Sequence, residues 1–201
     1  MLHLPQYFDN DAQTALLQDI VGVLDEAPLF VPTMPRTGKP FSVRMSNCGA
    51  LGWVSDKAGG YRYQPTHPET GANWPAMPDT LLKLWNEVAD CAAHPEACLI
   101  NIYGPKAKMG LHRDEDEEDY AAPVLSVSLG DTALFRIGGA KRKDPTRSFD
   151  LVSGDVLLLG GESRLAFHGV DRIKPGTSAL NLDAVPDAAR INLTLRRVSP
   201  V

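Results

Sequence analysis

The sequence has few cysteines, and none of them suggests a disulfide framework or a zinc site. Cys48, Cys91 and Cys98 are odd in number and form no Cys-x-x-Cys pair, which is typical of free thiols in a reducing compartment. No apolar run approaches the roughly 18 residues of a transmembrane helix. The first residues, MLHLPQYFDNDAQ, lack the basic and apolar regions of a signal peptide. We therefore expect a cytoplasmic protein without a membrane partner.

The chain also lacks an excess of positive charge. It has 20 basic and 25 acidic residues, a net charge of −5, which argues against a nucleic-acid partner. However, the six consecutive acids at 114–119 account for this imbalance, since the other 19 acidic residues face 20 basic ones. Such an acidic run is usually a solvated segment. The basic cluster FRIGGAKRKDPTR at 135–147 fits either plain solubility or an anionic partner.

The first half of the chain contains two helical patterns. Leu16, Ile20 and Leu24 recur at helical spacing in 11–26, with Asn10 or Asp11 as the expected cap and Pro28 as the stop. A second helix is expected from Pro78, with one apolar face formed by Leu81, Trp85, Val88 and Ala92. Between them, 41–47 alternates as a half-buried strand. Residues 48–77 are aromatic-rich and irregular, which favours a lid or binding loop.

The second half consists of short strand-like runs. Seven of them, from CLINIY to INLTLRRV, are separated by Gly, Pro and Asp turns. This pattern predicts a barrel or a double-sheet jelly roll, and the absence of strand–helix alternation argues against a doubly wound parallel sheet.

The acidic run begins with a candidate metal site. His112 and Asp114 are two residues apart, so on an extended segment both side chains point the same way. His168 lies 54 residues after Asp114 in a strand-like run. Two imidazoles and one carboxylate form the facial triad of non-haem Fe(II) oxygenases, with open positions for co-substrate and oxygen. Taken alone, the motif is also compatible with a chance His-x-Asp and a histidine in the core.

The last predicted strand carries a candidate anion site. In RINLTLR, Arg190, Asn192, Thr194 and Arg196 share one face. Two guanidinium groups suit a dicarboxylate, because each can bind a carboxylate bidentately. Asn101 and Tyr103 likewise share a face in NIY. Arginines paired to acids at a sheet edge would give the same pattern.

The motifs NIY, LHRDEDE, VSVSLG, FRIGGAKRKDP, GDVLLLGGESRLAFHGV and RINLTLR occur in this order, after MSNCGALGWVSD, YRYQP and NWPAMP. In the order of these motifs, the chain resembles the AlkB family of Fe(II)- and 2-oxoglutarate-dependent dioxygenases over residues 40–198. The resemblance implies an α+β fold with a mostly β core. Residues 1–95 would hold N-terminal helices and a nucleotide-recognition lid, and 96–201 a double-stranded β-helix (jelly roll), together forming one compact domain.

The resemblance also implies roles for individual residues. The catalytic iron would be bound by His112, Asp114 and His168. The residues expected to hold 2-oxoglutarate are Asn101, Tyr103, Arg190, Asn192 and Arg196. Trp53 would stack on a flipped base and sandwich it against His112. The remaining substrate contacts would come from Met45, Tyr61 and Tyr63 in the lid, Arg142 at a phosphate, and Asp116 and Glu117 beside the alkylated base.

The implied activity is oxidative demethylation of alkylated bases of the 1-methyladenine and 3-methylcytosine type. The expected substrates are single-stranded DNA, RNA, and duplex DNA by base flipping. A monomeric enzyme would use Fe(II) as its cofactor and consume 2-oxoglutarate and O2 as co-substrates. Products would be formaldehyde, succinate and CO2. Two alternatives remain open at this stage. One is an Fe(II)/2-oxoglutarate enzyme acting on a protein or small molecule, and the other is a non-catalytic jelly-roll binding module.

Overall fold

The computed structural model describes residues 1–200, which form two α-helices, a short 3-10 helix and twelve strands. The helices are α1 (Asn10–Glu26) and α2 (Asp79–Val88), and the 3-10 helix is Gly161–Ser163. The strands are β1 (Leu2–Leu4), β2 (Val43–Gly49), β3 (Gly52–Asp56), β4 (Gly60–Gln64), β5 (Ala97–Tyr103), β6 (Met109–His112), β7 (Val124–Gly130), β8 (Thr132–Ile137), β9 (Arg147–Leu151), β10 (Val156–Leu159), β11 (His168–Lys174) and β12 (Arg190–Arg196).

Two antiparallel sheets form the jelly roll, which confirms the predicted fold class. The larger sheet has the order β1-β10-β7-β12-β5-β2 and the smaller one β6-β11-β8-β9. Strands β1 and β2 come from the first 95 residues, so the larger sheet draws on both parts of the predicted division. Strands β3 and β4 form a separate hairpin.

Alternation along β5 and β12 separates the core from the site. Ile100 and Ile102 of β5, and Leu193 of β12, pack with both helices on one face of the large sheet. The large side chains buried there, such as Trp85 of α2, are almost inaccessible to solvent, and each contributes about 1.5–3 kcal/mol. The opposite face of the same strands points between the sheets and carries polar side chains. The fold thereby places the arginines of β12 inside the jelly roll.

Both helices are present, although their ends differ from the prediction. Asp9 caps α1 by accepting a 2.9 Å hydrogen bond from Ala12 N, because Asn10 and Asp11 already belong to the helix. Pro78 precedes α2 rather than forming its first turn, and Ala92 lies beyond the helix. Neither helix within residues 1–200 combines the length and apolar character needed to cross a bilayer.

Two segments differ from the predicted strand pattern. The irregular stretch 48–77 contains the β3–β4 hairpin, whose turn uses Gly60 at a φ of +71°, a conformation that glycine adopts without strain. The run RLAFHGV becomes a strand only at His168. Before it, Arg164 lies outside the sheet and turns inward to bind Asp114 O, Glu117 and Ala122 O.

Candidate active site

Two histidines and an aspartate converge where β6 meets β11. These strands pair antiparallel and set His112 opposite His168, with ring centroids 4.5 Å apart. Asp114 follows β6 and is buried; its Oδ1 lies 3.7 Å from His112 Nε2 and its Oδ2 lies 3.5 Å from His168 Nε2. One ligand atom from each residue lies within 4.8 Å of the other two. The fold therefore brings the three predicted metal ligands together.

Hydrogen bonds on the far side of each imidazole orient its ligand atom. His112 Nδ1 lies 3.0 Å from Gly110 O, and His168 Nδ1 lies 2.9 Å from Ala166 O. A carbonyl oxygen only accepts, so both Nδ1 atoms carry the hydrogen and both Nε2 lone pairs face Asp114. Metal-binding histidines are held in this way by the groups behind them.

This donor set fits Fe(II). Two imidazoles and one carboxylate on one side leave the other coordination positions open, as in the 2-His-1-carboxylate oxygenases. Within the described chain the group has three members, whereas a closed structural zinc site has four protein ligands.

Burial and charge act in opposite directions on these ligands. Burial of Asp114 favours the neutral acid, but Arg196 and the two histidines outweigh it and hold the pKa of Asp114 below its usual range. Burial lowers the pKa of His168, although the negative charge of Asp114 acts to raise it. An ionised carboxylate beside a neutral imidazole is the state that binds a metal cation.

The five residues expected to hold 2-oxoglutarate lie on the neighbouring strands β5 and β12. Arg190 pairs with Tyr103 and Asn192 with Asn101 in the strand register. All of their side chains line the same cavity as the metal ligands. Burial raises the pKa of Tyr103 to about 12, so its hydroxyl keeps the proton with which it donates a hydrogen bond.

The arginines of β12 retain donors for an anion. Arg190 is 1% exposed, and its terminal nitrogens donate to Asp131 O and Leu151 O at 3.1 Å and to Ser128 Oγ at 2.6 Å. Arg196 binds Asp114 and Glu117. The Nε atoms of both arginines are buried without a hydrogen-bond partner in residues 1–200. A buried donor without an acceptor is costly, and a ligand carboxylate would satisfy it.

The cavity that contains these groups has a volume of about 530 Å³, within the usual range for small-molecule sites. Of the predicted substrate residues, the structure places Met45, Trp53, Tyr61, Asp116 and Arg142 in its wall. Arg142 Nη1 donates to Leu111 O at 2.8 Å, and this bond ties the β8–β9 loop to strand β6. Metal ligands, arginines and lid therefore share one space.

Aromatic rings and a carboxylate form the lid side of the cavity. Trp53 stacks on Tyr61 with centroids 5.5 Å apart and an interplanar angle of 24°. Its Nε1 donates to Asp116 Oδ2 at 2.8 Å, which fixes the plane of the indole. Partial burial raises the pKa of Asp116, although the hydrogen bond from Trp53 acts to lower it. Asp116 thus presents a carboxylate on the wall of the cavity.

Glu117 and Tyr63 contact buried arginines. The Glu117 side chain is fully buried and binds Arg164 at 3.0 Å and Arg196 at 2.7 Å. The Tyr63 hydroxyl donates to Glu117 and accepts from Arg196. Burial opposes ionisation of Glu117, but Arg196 outweighs it and the pKa of Glu117 is lowered. Neither residue belongs to the cavity wall, because both bind the buried arginines, and their roles as substrate contacts stay predictions.

Sequence reasoning missed several residues of the site. Arg164 is 3% exposed and contacts the loop of Asp114. Phe41 and Met34 line the cavity beside the lid. Phe41 alternates with Val43 and Met45 in the sequence, so strand alternation could have indicated it. Arg164 follows a 3-10 turn without periodicity, and only its contacts with the Asp114 and Ala122 carbonyls and the Glu117 carboxylate, 42 to 50 residues earlier, identify it.

Comparison with known proteins agrees with this geometry. The family model described as "2OG-Fe(II) oxygenase superfamily" matches residues 1–196. The "Alpha-ketoglutarate-dependent dioxygenase AlkB homolog" of Caulobacter vibrioides is 55% identical over 193 residues, covering 96% of this chain and 85% of that protein. The "DNA N(6)-methyladenine demethylase ALKBH1C" of Arabidopsis thaliana is 40% identical over 109 residues, covering 51% of this chain and 24% of that protein.

A solved structure described as "The structure of OsALKBH1" superposes with a TM-score of 0.77 at 32% identity, covering 98% of this chain and 97% of that one. The match therefore extends through the hairpin and both sheets. The chain belongs to the 2OG-Fe(II) oxygenase superfamily and, within it, to the AlkB dioxygenases, which use Fe(II) and 2-oxoglutarate.

Proposed function

We propose that this enzyme oxidatively demethylates N-alkylated bases of the 1-methyladenine and 3-methylcytosine type. The substrates are single-stranded DNA, RNA, and duplex DNA from which the base is flipped out. The observation that carries the proposal is the combination of an aromatic wall and a carboxylate in one cavity with the metal ligands.

The aromatic wall suits a base that has left its stack. Trp53 and His112 both line the cavity, and a base between them would stack on the indole. Base–aromatic stacking is worth about 1–3 kcal/mol, which offsets part of the cost of unpairing. Unpairing costs least for a lesion that cannot pair well. The methyl group of such a lesion lies on the pairing edge, so only an unpaired base can present it to the metal.

The carboxylate suits a cationic lesion. Methylation at N1 of adenine or N3 of cytosine makes the ring positive, whereas the unmethylated base is neutral. Asp116 stands on the cavity wall as part of the acidic run. A carboxylate attracts a cation more strongly in a partly desolvated cavity than in water. This contact favours the damaged base over the normal one.

The mouth of the cavity suits a phosphate backbone. Exposed cations flank residues of the cavity wall along the chain: Arg36 and Lys39 follow Met34, Lys106 and Lys108 precede Met109, and Lys141 and Lys143 stand on either side of Arg142. None of them forms an ion pair with another described residue, whereas Arg62, Arg136, Lys174 and Arg197 elsewhere are paired. Lys57 packs beside Gly38, and Ser42 Oγ donates to Lys108 O at 2.8 Å, so these loops are neighbours. Unpaired cations beside a base pocket suit nucleic acid despite the net charge of −5.

Different residues of the cavity bind 2-oxoglutarate and the base. Fe(II), 2-oxoglutarate and O2 supply the oxidation that hydroxylates the N-methyl group, which then leaves as formaldehyde. Arg190 and Arg196 orient the two carboxylates of 2-oxoglutarate, and Asn101 and Tyr103 donate hydrogen bonds. Trp53 and Asp116 hold the base so that its methyl group faces the three metal ligands.

We further propose that the enzyme works as a cytoplasmic monomer. All three cysteines are free thiols, which suits a reducing compartment. The metal ligands, arginines and lid that form the cavity all belong to one chain. Light scattering at micromolar concentration would test the oligomeric state, and a dimer mass would contradict the proposal.

The test is release of formaldehyde from a 1-methyladenine oligonucleotide in the presence of Fe(II), 2-oxoglutarate and O2. Single-stranded DNA, duplex DNA and RNA carrying the same lesion are compared at equal concentration. His112→Ala serves as the control and should abolish release, because it removes one of three metal ligands. Turnover of 2-oxoglutarate without release from any of the three would instead indicate a protein or small-molecule substrate.

A further inference from the structure

Arg164 is a buried cation at the back of the acidic run. It follows the 3-10 helix Gly161–Ser163 and is 3% exposed. Its Nε donates to Ala122 O at 2.9 Å, its Nη1 to Asp114 O at 2.8 Å, and its Nη2 to Glu117 Oε2 at 3.0 Å. The guanidinium also lies over the Tyr120 ring, 5.4 Å from its centroid. A single side chain therefore organises the loop that contains the metal-binding aspartate.

Glu117 connects Arg164 to the 2-oxoglutarate site. Its Oε1 accepts a 2.7 Å hydrogen bond from Arg196 Nη1, while its Oε2 binds Arg164. Arg196 Nη2 in turn lies 2.8 Å from Asp114 Oδ1. The four residues form a closed ring: Arg164 holds the carbonyl of Asp114 and the carboxylate of Glu117, and Arg196 joins both carboxylates from the other side.

The ring is buried and its charges balance. Two guanidinium groups face two carboxylates, and all four side chains are less than one-tenth exposed. Loss of one member leaves an uncompensated buried charge, which the remaining three would relieve by shifting. Because Asp114 is a metal ligand and Arg196 a candidate 2-oxoglutarate ligand, such a shift would reach both binding sites.

We propose that Arg164 is a positioning residue that fixes the metal ligand Asp114 through its backbone carbonyl and orients Arg196 through Glu117. Binding of the metal and binding of 2-oxoglutarate then depend on the same buried guanidinium, which itself touches neither. The proposal concerns the iron and 2-oxoglutarate sites, so it holds whether or not the substrate is a nucleic acid.

Three variants test this role. Arg164→Lys keeps the positive charge, but a lysine ammonium cannot span three acceptors in the planar arrangement of a guanidinium. Glu117→Gln keeps the length of the side chain and one acceptor oxygen, but removes the charge that holds Arg196. Arg197→Lys is the matched control, because this neighbouring arginine pairs with Glu96 at 3.5 Å outside the ring.

The first measurement is Co(II) affinity of the metal-free protein, followed by absorption under argon. The second is KM for 2-oxoglutarate, separated from kcat. The third is the charge-transfer absorption of the anaerobic Fe(II)–2-oxoglutarate complex, and thermal unfolding monitors the fold. For Arg164→Lys we expect the Kd for Co(II) and the KM for 2-oxoglutarate each to rise about 10- to 100-fold, the usual effect of removing a group behind a metal ligand.

The two ring variants should differ from each other. Glu117→Gln should raise KM for 2-oxoglutarate and shift the charge-transfer band, with a smaller change in Co(II) affinity, since Arg164 still holds the Asp114 carbonyl. Arg197→Lys should change none of these values.

A lowered unfolding temperature in Arg164→Lys with wild-type Co(II) affinity and wild-type KM would overturn the proposal, because Arg164 would then only fasten the loop. If Arg164→Lys does not fold, the Glu117→Gln variant alone tests whether the ring orients Arg196. In that case an unchanged KM and an unshifted band reject the link between Arg164 and Arg196, and a raised KM supports it.

Discussion

Replacing Asp116 with asparagine isolates the charge at the proposed base site. Asp116 Oδ2 accepts a 2.8 Å hydrogen bond from Trp53 Nε1, and the amide oxygen of asparagine accepts the same bond. The indole should therefore keep its orientation while the negative charge disappears. Asp116→Ala serves as the comparison, because it removes both the charge and the hydrogen bond. Asp116 is not a metal ligand, so Co(II) affinity should stay at the wild-type value in both variants.

The size of the effect follows from the exposure of the carboxylate. Two opposite charges 4 Å apart attract by about 4 kcal/mol near a protein surface and by about 1 kcal/mol in water. Asp116 is accessible to solvent, so a value toward the lower end applies, about 1–2 kcal/mol. Loss of this attraction should lower kcat/KM for a cationic lesion about 5- to 30-fold. A neutral methylated base should lose little, since it gains little from the charge.

The assay compares formaldehyde release from oligonucleotides that carry 1-methyladenine or 3-methylthymine. Both bases bear a methyl group on the pairing edge, but only the first is cationic. We expect Asp116→Asn to reduce the ratio of their kcat/KM values, and Asp116→Ala to impair both substrates because Trp53 also loses its partner. An equal decrease for the two bases in Asp116→Asn would refute a charge-based selection, and loss of Co(II) binding would place Asp116 at the metal.

Three further substitutions test the 2-oxoglutarate site, the core and the phosphate contacts. Arg190→Met should raise KM for 2-oxoglutarate about 10-fold or more without weakening Co(II) binding, since a charge-assisted hydrogen bond is worth about 1.5–3 kcal/mol. Trp85→Ala should lower the free energy of unfolding in urea by about 3–5 kcal/mol, because this side chain is fully buried between α2 and the large sheet. The pair Lys39→Gln and Lys57→Gln should reduce the slope of log K against log salt for single-stranded DNA by about 1.4, since each phosphate that a lysine neutralises adds about 0.7 to that slope.

Alternation of polar and apolar residues within strands allowed the fold and much of the candidate site to be predicted from the sequence. The alternation in RINLTLR separates an apolar face, which packs with the helices, from a polar face, whose arginines line the cavity. The His-x-Asp spacing and His168 predicted a metal group that the strand register of β6 and β11 brings together. These features are local or periodic, so a single sequence contains them.

The features that the sequence could not supply depend on distant partners. Glu117 is one of six consecutive acids, and nothing in its neighbourhood distinguishes it from Asp116. The difference arises because Arg164, 47 residues later, turns inward and binds it. Tyr63 is drawn to the same buried pair, although the spacing of YRY places it beside Tyr61. Charge pairing inside the jelly roll, rather than local pattern, assigns these two side chains.

Oxidative demethylation is best tested by measuring formaldehyde and succinate together while the enzyme acts on single-stranded DNA containing 1-methyladenine. We expect equal amounts of the two products, with formaldehyde lost and metal binding weakened in His112→Ala. Succinate formed at the same rate with and without the oligonucleotide, and no formaldehyde, would contradict it.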